Sequence, residues 1–197
     1  MHDSEYDNLV ARNFKPYSEW HRAIYDGAFE LYHHNESPIT MLDAGCGIGY
    51  GYESMVEHGV MGVYVGVDPD KQSIDYCKQK FINNLRRRPM PADDIHRSVF
   101  TTTFNCGDFM SFEERYEFDI AFCVEVIEHV DEKDRSAFLK KVAQSAKVAF
   151  ISTPDVTKNA HGVYTPSRMI DLLRTGLELN AVAIPRDNTI LYVASKG

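Results

Sequence analysis

An α/β fold, with parallel strands crossed over by helices, is what this 197-residue sequence predicts. Three observations carry the prediction. Short apolar runs of strand length alternate with stretches of helical spacing along the chain. A glycine-rich turn, Met41-Leu42-Asp43-Ala44-Gly45-Cys46-Gly47-Ile48-Gly49-Tyr50-Gly51, joins the first such run to the first helix behind it. Acids close or follow successive runs at Asp43, Asp68 and Asp108, and open parallel sheets bind ligands beyond the carboxyl ends of their strands.

The elements follow in order. Pro16 to Tyr32 places Tyr17, Trp20, Ile24, Ala28 and Leu31 at helical spacing and is predicted to cap the sheet. Strand 39–43, helix 50–59, strand 62–68 and helix 71–85 come next, and Arg86 to Arg97, with Pro89, Pro91 and two aspartates, reads as a loop. Strand 99–105 runs into Asn105-Cys106-Gly107-Asp108, and Phe118 to Val124 is a further buried strand. Glu132 to Ser145 is an amphipathic helix, and Val148 to Ser152 a strand expected to break at Thr153-Pro154, since proline cannot donate to a ladder. After a loop to Tyr164, Thr165 suits a helix cap and Pro166 its first position, the helix ending near Gly176. Strands Leu177 to Ile184 and Thr189 to Ala194 flank Pro185-Arg186-Asp187-Asn188, which reads as a hairpin turn. The whole, 1–197, is expected to be one domain, with residues 1–36 as a helical cap and 37–197 as the ligand-binding core.

Composition narrows the setting. Apolar residues make up 44% and charged residues 25%, ordinary values for a chain that folds around a core. No apolar run is long enough to span a bilayer, and Met1-His2-Asp3-Ser4-Glu5 lacks the basic and apolar regions of a signal peptide, so no membrane partner and a cytoplasmic setting are expected. Cys46, Cys77, Cys106 and Cys123 are widely spaced, which suggests neither a zinc site nor a disulfide framework. The net charge of −8 argues against a surface built for polyanions. Arg86-Arg87-Arg88 is a local exception that reads as a solvated loop, a contact for an anionic acceptor being the sharper reading. No pattern in the chain specifies an oligomeric state.

The glycine turn sets the chemistry. A strand ending in an acid and followed by glycines lets a ligand lie against the main chain at a helix N-terminus, where unpaired N–H groups point outward. Asp68 closes the next run about twenty residues on, where nucleotide-type sites place an acid to take a ribose diol. The register is wrong for a dinucleotide: the third position of a G-x-G-x-x-G pattern would fall on Tyr50. An acid two residues before the first glycine also suits a ligand with a cationic centre better than a pyrophosphate.

The string Asp43-Ala44-Gly45-Cys46-Gly47-Ile48-Gly49 resembles the first motif of class I S-adenosylmethionine-dependent methyltransferases, and the later landmarks follow in order. The resemblance covers roughly residues 38 to 197. It implies a Rossmann-like doubly wound seven-stranded sheet, mostly parallel with a C-terminal antiparallel hairpin, and S-adenosylmethionine as cofactor. By resemblance, Asp43, Ala44, Gly45, Cys46, Gly47 and Gly49 take the amino-acid part of the cofactor, and Asp68 with Pro69 takes the ribose. Gly107 and Asp108 take the adenine, with Phe109 packed on its ring, and Val124 and Glu125 line the site. Tyr17 and Trp20 lie on the N-terminal helix, which in many relatives closes over the cofactor, where an aromatic face suits a sulfonium.

The segment Glu125-Val126-Ile127-Glu128-His129 stands where that family faces its methyl acceptor. It is similar to ubiquinone-biosynthesis O-methyltransferases and their small-molecule relatives, and to Hen-type small-RNA 2′-O-methyltransferases, in which two glutamates and two histidines hold a divalent cation. Glu125, Glu128 and His129 would supply three ligands if the chain turned helical there, and His161 a fourth. The Hen-type motif continues His-x-Phe-Glu-Trp, whereas this chain reads His161-Gly162-Val163-Tyr164-Thr165, so no metal is assigned and a divalent ion stands only as the alternative. In the metal-free reading Glu125 touches the cofactor and a histidine among the candidate catalytic residues Glu125, Glu128, His129 and His161 serves as base. The expected function is methyl transfer to an oxygen or nitrogen nucleophile of a small molecule. The alternatives are a metal-dependent RNA 2′-O-methyltransferase and a non-catalytic S-adenosylmethionine-binding subunit, with an NAD-dependent oxidoreductase disfavoured by the glycine register.

Overall fold

Strands with apolar residues on both faces have to be covered on both faces, and this chain does so with two helical layers. The computed structural model describes residues 21–32, 38–60, 62–83, 101–113, 117–154, 164–177, 179–186 and 189–196. Seven strands form one sheet: β1 (Ile39–Ala44), β2 (Gly62–Asp68), β3 (Thr101–Cys106), β4 (Phe118–Val124), β5 (Ala146–Pro154), β6 (Asn180–Arg186) and β7 (Thr189–Ser195). Their order is β3-β2-β1-β4-β5-β7-β6. The first five run parallel, and β7 inserts antiparallel between β5 and β6. The order reverses between β1 and β4, which opens the ligand crevice beyond their carboxyl ends.

The helices are α1 (21–31), α2 (Tyr50–Glu57), α3 (Lys71–Cys77, widening into a π-helical turn at Lys78–Asn83), α4 (Arg135–Gln144) and α5 (Pro166–Asp171, continued by a π-helical turn, Leu172–Gly176). One core joins Ile24, Tyr25, Ala28 and Phe29 of α1 and Tyr52 and Met55 of α2 to Met41, Tyr64, Phe122 and Phe150 on the sheet. The other joins Phe138, Leu139 and Val142 of α4 and Met169 of α5 to Leu42, Ala121, Ile151 and Tyr192. Met41 and Leu42 thus point to opposite layers, as successive strand residues must.

Several boundaries differ from expectation for identifiable reasons. β5 does not break at Thr153-Pro154: Pro154 pairs with Thr189 of β7, while β4 has already ended opposite Ser152. The missing proline N–H is therefore not needed on that side. β6 starts at Asn180 rather than Leu177 because the amides of Leu177 and Leu179 return to the Leu172 and Leu173 carbonyls and close the helix. Pro185 and Arg186, expected in a turn, extend β6 at the edge of the sheet and pair with Ile190 and Thr189. The long helix expected over 71–85 is α-helical only to Cys77. The predicted loops at 86–97 and before Tyr164, and the aromatic positions Tyr17 and Trp20, lie outside the described residues.

Phe122, on central strand β4, is fully buried and meets Phe150 at 5.6 Å, Phe29 at 5.5 Å and Tyr25 edge-on at 5.1 Å. It carries α1 as well as the sheet. Truncation, Phe122→Ala, is expected to cost about 3–5 kcal/mol in urea unfolding and to speed amide exchange across α1; a loss below about 1 kcal/mol would contradict this packing role.

Candidate functional site

The turn after β1 is bolted to β2. The amides of Gly45 and Cys46 both donate to the Val67 carbonyl, at 2.8 and 3.2 Å, and the Gly47 amide donates to Asp68 Oδ2 at 2.8 Å. Asp68 Oδ1 accepts from the Asp70 amide at 2.8 Å, so each carboxylate oxygen keeps a lone pair for a further donor. Burial raises the Asp68 pKa, opposed by the hydrogen bonds from Asp70 and Gly47. Asp70 caps α3 by accepting from Gln72 and Ser73. Gly107 donates to the Asp68 carbonyl at 3.0 Å, which brings the end of β3 alongside.

Gly45, Gly47 and Gly49 all take positive φ. At Gly45 the need is absolute, since φ is +84° and an added Cβ would lie 2.3 Å from Val126 Cγ2. That contact seats the turn against the loop after β4. Gly49 is the N-cap of α2 and supplies no capping side chain, and a helix start without a side-chain cap suits an anionic group such as a carboxylate.

Asp43 was expected to face the ligand, and the structure turns it elsewhere. It shares a face with Met41, so it points into the layer of α1 and α2 and is 0% exposed. Tyr25 of α1 donates to its carboxylate, 3.1 Å from each oxygen, and Tyr64 of β2 donates to Oδ2 at 2.5 Å. Gly51 completes the enclosure: a Cβ there would come within 2.5 Å of Asp43 Oδ2 and 2.8 Å of Tyr25 Cε1. Burial lifts the Asp43 pKa to about 7 despite the tyrosine hydrogen bonds.

After β4, Glu125 takes φ +55°, the one non-glycine positive value among the described residues. Its neighbours hold it there. The Glu125 amide donates to the Ser152 carbonyl at 3.3 Å and to Ser152 Oγ at 3.1 Å. Its Oε1 lies 2.8 Å from Ser152 Oγ and 2.7 Å from Thr189 Oγ1. The following 3-10 turn, Ile127–His129, brings Glu128 against Glu125. Burial and the charge of Glu125 raise the Glu128 pKa to about 8, burial also raises that of Glu125, and Glu128 Oε2 is shielded without a hydrogen-bond partner among the described residues. Arg135 braces the loop from the start of α4, donating to the Val130 carbonyl at 2.9 Å and the Glu128 carbonyl at 3.5 Å.

His129 is exposed on that turn, apart from the carboxyl pair. Among the described residues no three His, Cys, Asp or Glu side chains are grouped to hold a metal ion, and His161 lies outside them. Ala44, Cys46 and Val124 are buried supports, and Pro69 is exposed at the rim. Asp108 is exposed and accepts from the Met110 amide at 3.0 Å. Phe109, expected to pack on a ligand ring, is 3% exposed instead, against Phe138 at 5.2 Å with the Lys141 ammonium over its face. Tyr25, Tyr64, Gly51, Ser152, Thr189 and Arg135 were not marked as site residues by the sequence. For Gly51 a signal existed, a fourth glycine beyond the turn itself.

Residues 42–148 match the family model described as "Methyltransferase domain". The Arabidopsis thaliana small RNA 2′-O-methyltransferase is 27% identical over 158 residues, 78% of this chain and 16% of that protein. The ubiquinone biosynthesis O-methyltransferase of Bradyrhizobium sp. (strain ORS 278) is 32% identical over 111 residues, 56% of this chain and 37% of that protein. The chain therefore spans well under half the length of either relative. In fold it is similar to an S-adenosylmethionine-dependent methyltransferase from Clostridium acetobutylicum, with TM-score 0.73, 12% identity and 98% of each chain covered.

The buried Asp43 has a measurable consequence. Its folded pKa of about 7 stands above the ordinary 3.8, so the folded state holds this proton more tightly. The associated stability is full below about pH 4 and is lost as pH rises toward about 7, an effect on the order of 4 kcal/mol. Asp43→Asn is expected to flatten the fall in urea-unfolding stability between about pH 4 and about pH 7. An unchanged slope would contradict the assignment.

Proposed function

The chain belongs to the methyltransferase-domain family, and for this class I S-adenosylmethionine-dependent methyltransferase we propose transfer of the methyl group to a hydroxyl oxygen of a small-molecule acceptor. The observation that carries the reading is the buried carboxyl pair Glu125–Glu128 at the end of β4, next to the switch point of the sheet. A pair in which one pKa stands near neutrality is suited to accept a hydroxyl proton as the oxygen attacks. Both relatives described above are named O-methyltransferases, which supports oxygen over nitrogen as the nucleophile.

S-adenosylmethionine, when bound, supplies an activated methyl and its own leaving group. The residues of this chain orient and exclude water. The uncapped start of α2 would receive the carboxylate of the cofactor, and the remaining lone pairs of Asp68 would accept the ribose hydroxyls. Val126, seated on Gly45, would keep the acceptor loop against the cofactor turn, and Glu125 with Glu128 would hold the proton released by the acceptor. The net charge of −8 supports a small acceptor over a polyanion. Transfer to an RNA 2′-hydroxyl is the second reading, favoured by the match to the small-RNA enzyme over 78% of this chain.

Two probes separate these readings. The protein is incubated with methyl-labelled S-adenosylmethionine and either a panel of phenols and catechols or a short single-stranded RNA with free terminal hydroxyls, with and without chelator. Label is expected in the phenolic panel, insensitive to chelator, and Glu125→Gln is expected to lower kcat by about tenfold to a hundredfold. Label entering RNA alone, abolished by chelator, would replace this reading with the second.

A further inference from the structure

Asp43 sits two residues before Gly45 of the turn, yet its carboxylate is fully buried, and its hydrogen-bond partners among the described residues come from α1 and β2. Tyr25 reaches it from α1, Tyr64 from β2, and Gly51 of α2 leaves the space in which both oxygens and the Tyr25 ring fit. Hence the fourth glycine accommodates the aspartate rather than the ligand.

α1 is tied down elsewhere on the same side. Asp26 accepts from Ser54 Oγ at 2.5 Å and lies 3.2 Å from His58 Nε2, and Arg22 pairs with Glu57. At His21, the first described residue of α1, the ring stacks on Tyr50, the first residue of α2, with centroids 6.4 Å apart and planes 12° apart. The helix that Asp43 holds therefore lies, at His21, beside the first turn of α2.

We propose that Asp43 is a positioning residue that latches α1 to the end of β1 through Tyr25, so that docking of α1 and occupation of the cofactor site favour one another without Asp43 touching the cofactor. The inference rests on the cofactor reading given above. Coupling between two sites is reciprocal, so loosening α1 weakens cofactor affinity, and the cofactor in turn protects α1.

The probe is S-adenosylmethionine itself, titrated calorimetrically into the wild-type protein and into Tyr25→Phe, with amide exchange followed across residues 21–31. Ile151→Val serves as comparison, a small core truncation in the opposite helical layer. Tyr25→Phe is expected to weaken binding about tenfold and to reduce the slowing of α1 exchange on saturation, while Ile151→Val binds within about twofold of wild type. Binding by Tyr25→Phe within about twofold of wild type, at whatever loss of thermal stability, overturns the latch and leaves the cofactor reading intact. A wild-type protein that binds no S-adenosylmethionine overturns both.

Discussion

Three consecutive amides, those of Gly45, Cys46 and Gly47, are spent on the end of β2, two on the Val67 carbonyl and one on the Asp68 carboxylate. The rest of the site follows from this. With the turn fixed to the neighbouring strand, α2 starts after Gly49, which offers no side-chain cap. Asp68 is held in place by the same bond and by the Asp70 amide, in an orientation that leaves acceptor capacity on both oxygens. The contact of Gly45 with Val126 then carries the constraint across the switch point to the loop after β4.

Two buried acidic centres flank this turn, and they are stabilised differently. Asp43 is enclosed by hydroxyl donors from α1 and β2 within an otherwise apolar layer, so its charge is costly and its pKa rises toward neutrality. Glu125 and Glu128 are pushed up by burial and, for Glu128, by each other's proximity, with Ser152 and Thr189 as donors to Glu125. The positive φ of Glu125 is strain that these bonds offset. A carboxyl that keeps its proton near neutral pH is costly to fold but well placed to exchange protons, and the second centre is the one on the loop after β4.

Much of this was legible in the sequence, and the reasons separate what was from what was not. The geometry of the glycine turn and the place of Asp68 at the end of β2 could be read because each depends on local spacing: positive φ favours glycine, and Asp68 closes an apolar run of strand length. The direction of Asp43 was harder. β1 is buried on both faces, so its apolar run shows no alternation from which to tell which layer the acid joins. Ser152 and Thr189 are 27 and 64 residues from Glu125; the parallel pairing of β4 with β5 brings the first, and the antiparallel insertion of β7 beside β5 the second. The 3-10 turn at Phe109 and that at His129 decide between inward and outward side chains by a rotation that residue type does not reveal.

The central claim is that the turn after β1 and the Asp68 carboxylate receive an adenosyl sulfonium compound together. Calorimetric titration of S-adenosylhomocysteine into Asp68→Asn, a substitution that retains an acceptor for the Gly47 amide, tests it most directly. Affinity is expected at least about thirtyfold below wild type, with the folded state preserved. An affinity within about twofold of wild type would contradict it.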